Sequence, residues 1–83
     1  MKVRYFAWVR ERVGKAEEEI NLPPDIATVG ELVAWLARRG EGYAYAFENP
    51  KVIRSAIDKM HVQANARIEG AREIAFFPPM TGG

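Results

Sequence analysis

The sequence predicts an α+β fold, a mixed sheet with one main helix packed across it. Three observations carry that expectation. Short apolar segments with alternating or continuous hydrophobicity lie at both ends of the chain, at residues 2–9 and 73–77. Between them, Thr28-Val29-Gly30-Glu31 opens a stretch with apolar residues at helical spacing. The chain has 83 residues and is 48% hydrophobic, so it has material for one small core and no second domain.

Residues 2–9 read as a strand. Val3, Tyr5, Ala7 and Val9 fall on one face, and Lys2, Arg4, Phe6 and Trp8 on the other. Phe6 and Trp8 make the second face apolar too, so the end of this strand is expected to touch something on both sides. Arg10 to Gly14 reads as a short turn of helix closed by Gly14. Glu17 to Leu22 reads as a second strand, with its glutamates outside and Ile20 and Leu22 inside. The two strands would form an antiparallel pair. Pro23-Pro24-Asp25 ends the second, because proline has no N–H to give a ladder.

Thr28 as N-cap and Glu31 three residues later form a capping box. Val29, Leu32, Val33, Leu36 and Ala37 then make one apolar stripe. Arg38 and Arg39 suit the negative end of the helix dipole, and Gly40 reads as the stop. Residues 41–55 read as irregular or briefly helical, anchored by Tyr43, Tyr45 and Phe47. Ala56 to Ala64 alternates weakly, with a break near Asp58-Lys59. Glu69-Gly70-Ala71-Arg72 is a turn signal, and Glu73 to Phe77 is a last strand ended by Pro78-Pro79. This order is compatible with the ubiquitin-like β-grasp, in which first and last strands are parallel neighbours and the chain end projects from the sheet. The division expected is a β-grasp body over residues 1–77 and an extended tail over 78–83.

Composition narrows the functions. Twelve basic and 11 acidic residues give a net charge of +1, spread without a basic strip, so nucleic acid is not an expected partner. There is no cysteine, which excludes disulfides, thiolate catalysis and cysteine-based zinc sites. Nothing approaches the roughly 20 apolar residues of a membrane span, so no membrane association is expected and the cytoplasm is the default location. A core this small is expected to leave little for a private pocket of ~300 Å³ or more.

The tail carries the chemistry. A terminal carboxylate is ionised at neutral pH and is a poor electrophile. It must be activated, for instance as an acyl-adenylate, before it accepts sulfur or an amine. Gly82-Gly83 lacks side chains, so it can lie flat inside another protein's channel. Pro78-Pro79 favours a stiff extended rod that loses little entropy on docking. Phe76 and Phe77 point to opposite faces of their strand, so one can enter the core while the other meets a partner. Alone, a terminal Gly-Gly is weak evidence, since termini are often small and inert.

Other residues have plain structural readings. His61, the lone histidine, reads as exposed or partly packed, and no metal site is expected around it. Glu17-Glu18-Glu19 reads as a solvated strand edge. Trp8 and Trp35 are candidate anchors, with at least one expected in the core.

The string Phe76-Phe77-Pro78-Pro79-Met80-Thr81-Gly82-Gly83, preceded by Glu73-Ile74-Ala75, resembles the C-terminus of the molybdopterin synthase small-subunit family. Tyr5-Phe6-Ala7, Arg10-Glu11 and Gly14 resemble that family's opening segment. Asp58 stands where members often carry Asn. The resemblance implies a β-grasp fold with no bound cofactor. An ATP-dependent, ubiquitin-activating-like adenylyltransferase would adenylate Gly83, next to the slender Gly82. A sulfurtransferase would convert the acyl-adenylate to a thiocarboxylate (1-thioglycine). The tail of Pro78, Pro79, Met80 and Thr81 would insert into the large synthase subunit, in a heterotetramer. There the sulfur would pass to cyclic pyranopterin monophosphate in molybdenum cofactor biosynthesis. Phe6 and Phe77 match an apolar contact surface in the family, and His61 a third position usually aliphatic. Rival readings are a thiamine-type sulfur carrier, a ubiquitin-like protein modifier, and an interaction module with an inert tail.

Overall fold

A computed structural model describes residues 1–79. Strands β1 (Lys2–Tyr5), β2 (Glu17–Glu19), β3 (Arg54–Ile57), β4 (Met60–Val62) and β5 (Glu73–Phe77) form one sheet in the order β2-β1-β5-β3-β4. β1 and β5 run parallel, and the other pairs are antiparallel. Helices α1 (Ala7–Val13), α2 (Val29–Ala37) and α3 (Glu41–Ala46) and a 3-10 turn at Pro50–Val52 complete the described chain. This is the β-grasp that the element order predicts, with its first and last strands side by side.

The core lies between the sheet and α2. Val3 and Tyr5 of β1, and Ile74 and Phe76 of β5, point inward and are buried against Val29, Leu32, Val33 and Leu36 of α2. Phe47 closes the middle, its ring edge-on to Phe76 with centroids 5.3 Å apart. Truncating Phe76 would cost ~3–5 kcal/mol, because the site is fully enclosed. The capping box is formed as expected. The Glu31 amide donates to Thr28 Oγ1 at 3.2 Å, and Glu31 Oε1 accepts from the Thr28 amide at 3.0 Å and the Ala27 amide at 2.8 Å. Those backbone donors hold the Glu31 carboxyl below the usual carboxylate range.

Three expectations need correction. The first strand stops at Tyr5 instead of running to Val9. Phe6 is the N-cap of α1, and Ala7 takes φ +53°, which turns the chain off the sheet into the helix. Val9 is buried from the helix, so the period-two pattern continued across a change of structure. Gly14, at φ +93°, does close α1, and its amide donates to the Arg10 carbonyl at 2.8 Å. The second strand spans only Glu17–Glu19, although the Ile20 amide still reaches the Met1 carbonyl at 2.9 Å. Gly40 does not stop α2. Arg38 is its C-cap, and Gly40, in extended conformation, is the N-cap of α3.

The break at Asp58-Lys59 is a two-residue hairpin turn. Both residues have positive φ, +48° and +75°, a combination whose twist suits the flanking strands. Asp58 Oδ1 also accepts from the Arg72 and Glu73 amides at 3.1 and 3.0 Å, tying the hairpin to the start of β5.

Candidate functional site

Strand parity sorts the aromatic residues. With Ile74 and Phe76 inward, Glu73, Ala75 and Phe77 of β5 face the side of the sheet away from α2. The same parity on β1 sends Lys2 and Arg4 to that outer side. The Phe6 amide donates to the Phe76 carbonyl at 3.0 Å, which fixes Phe6 beside the end of β5. Phe6 is 37% exposed, with the Arg4 guanidinium 5.1 Å from its ring centroid. On β4, His61 is in register with Ala56 of β3, and Ala56 with Ala75. The His61 ring meets Phe77 edge-on, with centroids 5.3 Å apart.

The result is a shallow apolar face. Ala56 and Ala75 make a low floor, and Phe6, Phe77 and His61 stand on the same side of the sheet. Pro78 and Pro79 follow directly from Phe77, half-buried and outside any strand. Of the residues that sequence assigned to contact, Phe6, Phe77, Pro78 and Pro79 thus lie together at the end of β5. Met80, Thr81, Gly82 and Gly83 lie outside the described residues. Sequence reasoning missed Ala56 and Ala75, although their parity with Phe77 on paired strands marks them once the register is known.

Among the described residues, no group of three His, Cys, Asp or Glu is placed to hold a metal ion. Besides Glu31, one other carboxylate among the described residues is clearly perturbed. Glu18 is paired with Val3 and so points to the helix side of the sheet, not into solvent as its Glu-rich strand suggested. Its carboxylate accepts from Tyr5 and Tyr43 hydroxyls, both at 2.7 Å, and from Arg39 at 3.1 Å. Burial alone would push its carboxyl up, but the donors from Tyr43, Tyr5 and Arg39 outweigh burial and hold it below the usual range. Burial and the hydrogen bond to Glu18 push the Tyr5 hydroxyl up. These four side chains bind β1, β2, α3 and the end of α2 together. Arg39 is therefore engaged in structure.

Neither tryptophan is fully enclosed. Trp8 and Trp35 both pack partly against the core, and each carries a guanidinium over its ring, Arg12 at 4.3 Å and Arg39 at 5.2 Å. No helix among the described residues is long and apolar enough to cross a membrane.

A profile of the ThiS family matches residues 3–83. The chain is 36% identical to the molybdopterin synthase sulfur carrier subunit of Haemophilus influenzae over 83 residues, covering 100% of this chain and 99% of that one. It is also 36% identical to the subunit of the same name from Escherichia coli, with the same coverage. Among solved structures, SAMP1 from Haloferax volcanii superposes with a TM-score of 0.72 at 24% identity, covering 100% of this chain and 98% of that one, which supports the fold.

Proposed function

The chain belongs to the ThiS family, and from that premise we propose that it is the sulfur carrier subunit of a molybdopterin synthase. The observation that carries this reading is end-to-end similarity to two subunits of that name, with coverage reaching the Gly-Gly end. The aromatic face at the root of the tail supports it, because it offers a partner a surface beside the point where the tail departs.

The chemistry follows from the tail. The Gly83 carboxylate attacks the α-phosphorus of ATP, forming an acyl-adenylate and releasing pyrophosphate. Sulfide (HS⁻) delivered by the sulfurtransferase then adds to the Gly83 carbonyl carbon, AMP leaves with the C–O electron pair, and the S–H proton is lost to solvent. The product is a terminal thiocarboxylate. Its sulfur then passes to cyclic pyranopterin monophosphate inside the large subunit. The chain supplies the sulfur and the docking surface, and the large subunit supplies the pocket and the proton-transfer groups. Gly82 and Gly83 carry no side chains to obstruct the partner's channel, Met80 and Thr81 are the tail residues assigned to contact the partner, and Pro78-Pro79 favours an extended tail. Phe6 and Phe77 seat the body against the partner. The ATP that the adenylyltransferase consumes is a cytoplasmic resource, which supports the cytoplasm as the place where the chain works.

Intact-mass analysis tests this. Incubated with the activating enzyme, ATP and a sulfur source, the chain should gain a species with one oxygen replaced by sulfur. The variant lacking Gly83 should keep its circular dichroism spectrum and gain none. Absence of the sulfur species in the full chain overturns the carrier reading. Support of molybdopterin formation by the truncated chain overturns the assignment to Gly83. Restoration of a thiamine-pathway sulfur-carrier deletion instead of a molybdopterin one would favour the thiamine-type carrier.

A further inference from the structure

A groove of about 770 Å³ lies on the helix side of the sheet, between α2, the 3-10 turn and the ends of β3 and β4, more space than a core this small was expected to leave. Its walls are mainly apolar and single out no ligand. The outer side of the sheet is more specific, because its charges are matched within the chain except beside Phe77.

The carboxylates that strand parity puts on that side are engaged. Glu17 pairs with Lys2 at 3.1 Å, Glu19 with the N-terminal ammonium at 3.3 Å, and Glu73 with Arg4 at 3.8 Å. Asp58, at the end of β3 away from the tail, accepts from the Arg72 and Glu73 amides. Arg54 differs. It is in register with Phe77, so both side chains leave the same side of the sheet, with Cβ atoms about 5 Å apart. It is exposed, and among the described residues it forms no ion pair, unlike Arg4, Arg12 and Arg39. Glu73 lies at the other end of β5, roughly 13 Å along the strand from Phe77. Arg54 also sits on a strand bordered by β5 and β4, so its stem begins inside the face and not at a free edge.

Docking changes the balance at this residue. A partner that covers Phe77 also takes water from the guanidinium opposite it. A guanidinium stripped of water with no counter-charge is strongly unfavourable. This chain has no spare carboxylate within reach, so the partner has to bring one. A carboxylate suits the planar fork of arginine, which can donate two parallel hydrogen bonds to it.

We propose that Arg54 is a specificity-determining residue of the interface, and that the large synthase subunit offers it an Asp or Glu side chain beside the surface that receives Phe77. This inference rests on the carrier reading above and adds the chemistry of the partner's surface: apolar over Phe6, Ala75 and Phe77, acidic over Arg54. A pose that brought the same acid to Glu73 would meet repulsion. The pair therefore selects one orientation of the body, and with it the direction in which the tail is aimed.

The test measures affinity of the full chain for the large subunit by titration calorimetry, at about 50 mM and about 500 mM salt. At low salt Arg54→Leu should weaken binding roughly ten-fold and Arg54→Glu roughly a hundred-fold, because the first leaves the partner's carboxylate unpaired and the second opposes it. Arg54→Lys should fall between the wild type and Arg54→Leu, since lysine keeps the charge and loses the fork. Raising salt should weaken the wild type more than Arg54→Leu, a difference that a purely structural role would not produce. Lys59→Glu, on the hairpin turn at the other end of β3, changes net charge as Arg54→Glu does and should stay within about two-fold of the wild type. Melting temperatures should hold throughout, because both positions are exposed. Should Arg54→Glu fail to fold, Arg54→Leu and its salt dependence still decide. Equal affinity of Arg54→Leu and the wild type overturns the inference, as does an equal loss in Lys59→Glu and Arg54→Glu. If Phe77→Ala weakens binding and no Arg54 variant does, the inference falls and the carrier reading stands. A wild-type chain that binds no large subunit overturns both.

Discussion

The imidazole of His61 stands edge-on to the ring of Phe77, with 5.3 Å between centroids and 68° between planes. The contact spans β3, from the short outer strand β4 to the last residue of β5. It gives the Phe77 ring a fixed neighbour at the point where the chain leaves the sheet. An aromatic pair of this kind contributes about 0.5–1.5 kcal/mol beyond the area it buries. Its larger effect is to hold one side of the apolar face rigid before any partner arrives.

Phe77→Ala should therefore lower affinity for the large synthase subunit by at least about ten-fold, the scale of a central interface anchor. Thermal stability should change little, because Phe77 is only half-buried while Phe76 fills the core. His61→Leu should preserve affinity, since an aliphatic side chain can fill the same contact. Titration calorimetry beside thermal melts would check both. Unchanged affinity in Phe77→Ala would remove this face from the interface.

The Glu18 cluster predicts a pH dependence on both flanks. The folded state holds Glu18 below its ordinary value of 4.5, so unfolding takes up a proton as pH falls through that region. The contribution is present above pH 4.5 and is lost below it. Tyr5 is shifted the other way, above 10.0, so its contribution is present below pH 10 and is lost as pH rises further. Glu18→Gln should cost on the order of 1 kcal/mol at neutral pH and flatten the acid limb. Urea midpoints measured from pH 3 to pH 11 would show it; an unaltered acid limb would mean that other carboxylates dominate there.

At Gly42, helix propensity and packing oppose each other. Alanine in a helix interior is favoured over glycine by up to about 1 kcal/mol. Yet a Cβ on Gly42 would come 2.6 Å from the Arg12 carbonyl oxygen, which is backbone and cannot swing aside. Overpacking of this kind costs typically about 1–3 kcal/mol, so Gly42→Ala should destabilise on balance. Chemical denaturation decides the sign, and a stabilised variant would show that α1 and α3 separate easily.

Legibility followed the range of the forces involved. The Thr28–Glu31 capping box, the Asp58-Lys59 turn and the strand from Glu73 to Phe77 rest on neighbours a few residues apart, and all three formed as read. The switch at Ala7 was hidden because Val9 is buried equally well from a strand or a helix. Gly40 misled because a glycine after Arg38-Arg39 resembles a helix stop, while Gly42 packs α3 against α1 only through tertiary contact. Glu18 looked like its neighbours in sequence and differs from them only by facing Tyr5 and Tyr43. The apolar face was partly legible, in Phe6 and Phe77, but its alanine floor depends on the register of three strands.

The central place of β5 has a consequence for synthesis. This strand, the last in the described chain, is bonded to β1 on one side and β3 on the other. The sheet cannot close until residue 77 has left the ribosome. A polypeptide cut short before that point lacks the middle of its own sheet, exposes the apolar side of β1 and β3, and is a natural target for proteolysis. Only a chain translated through Phe77 can complete the sheet, so the topology couples folding of the body to nearly complete synthesis.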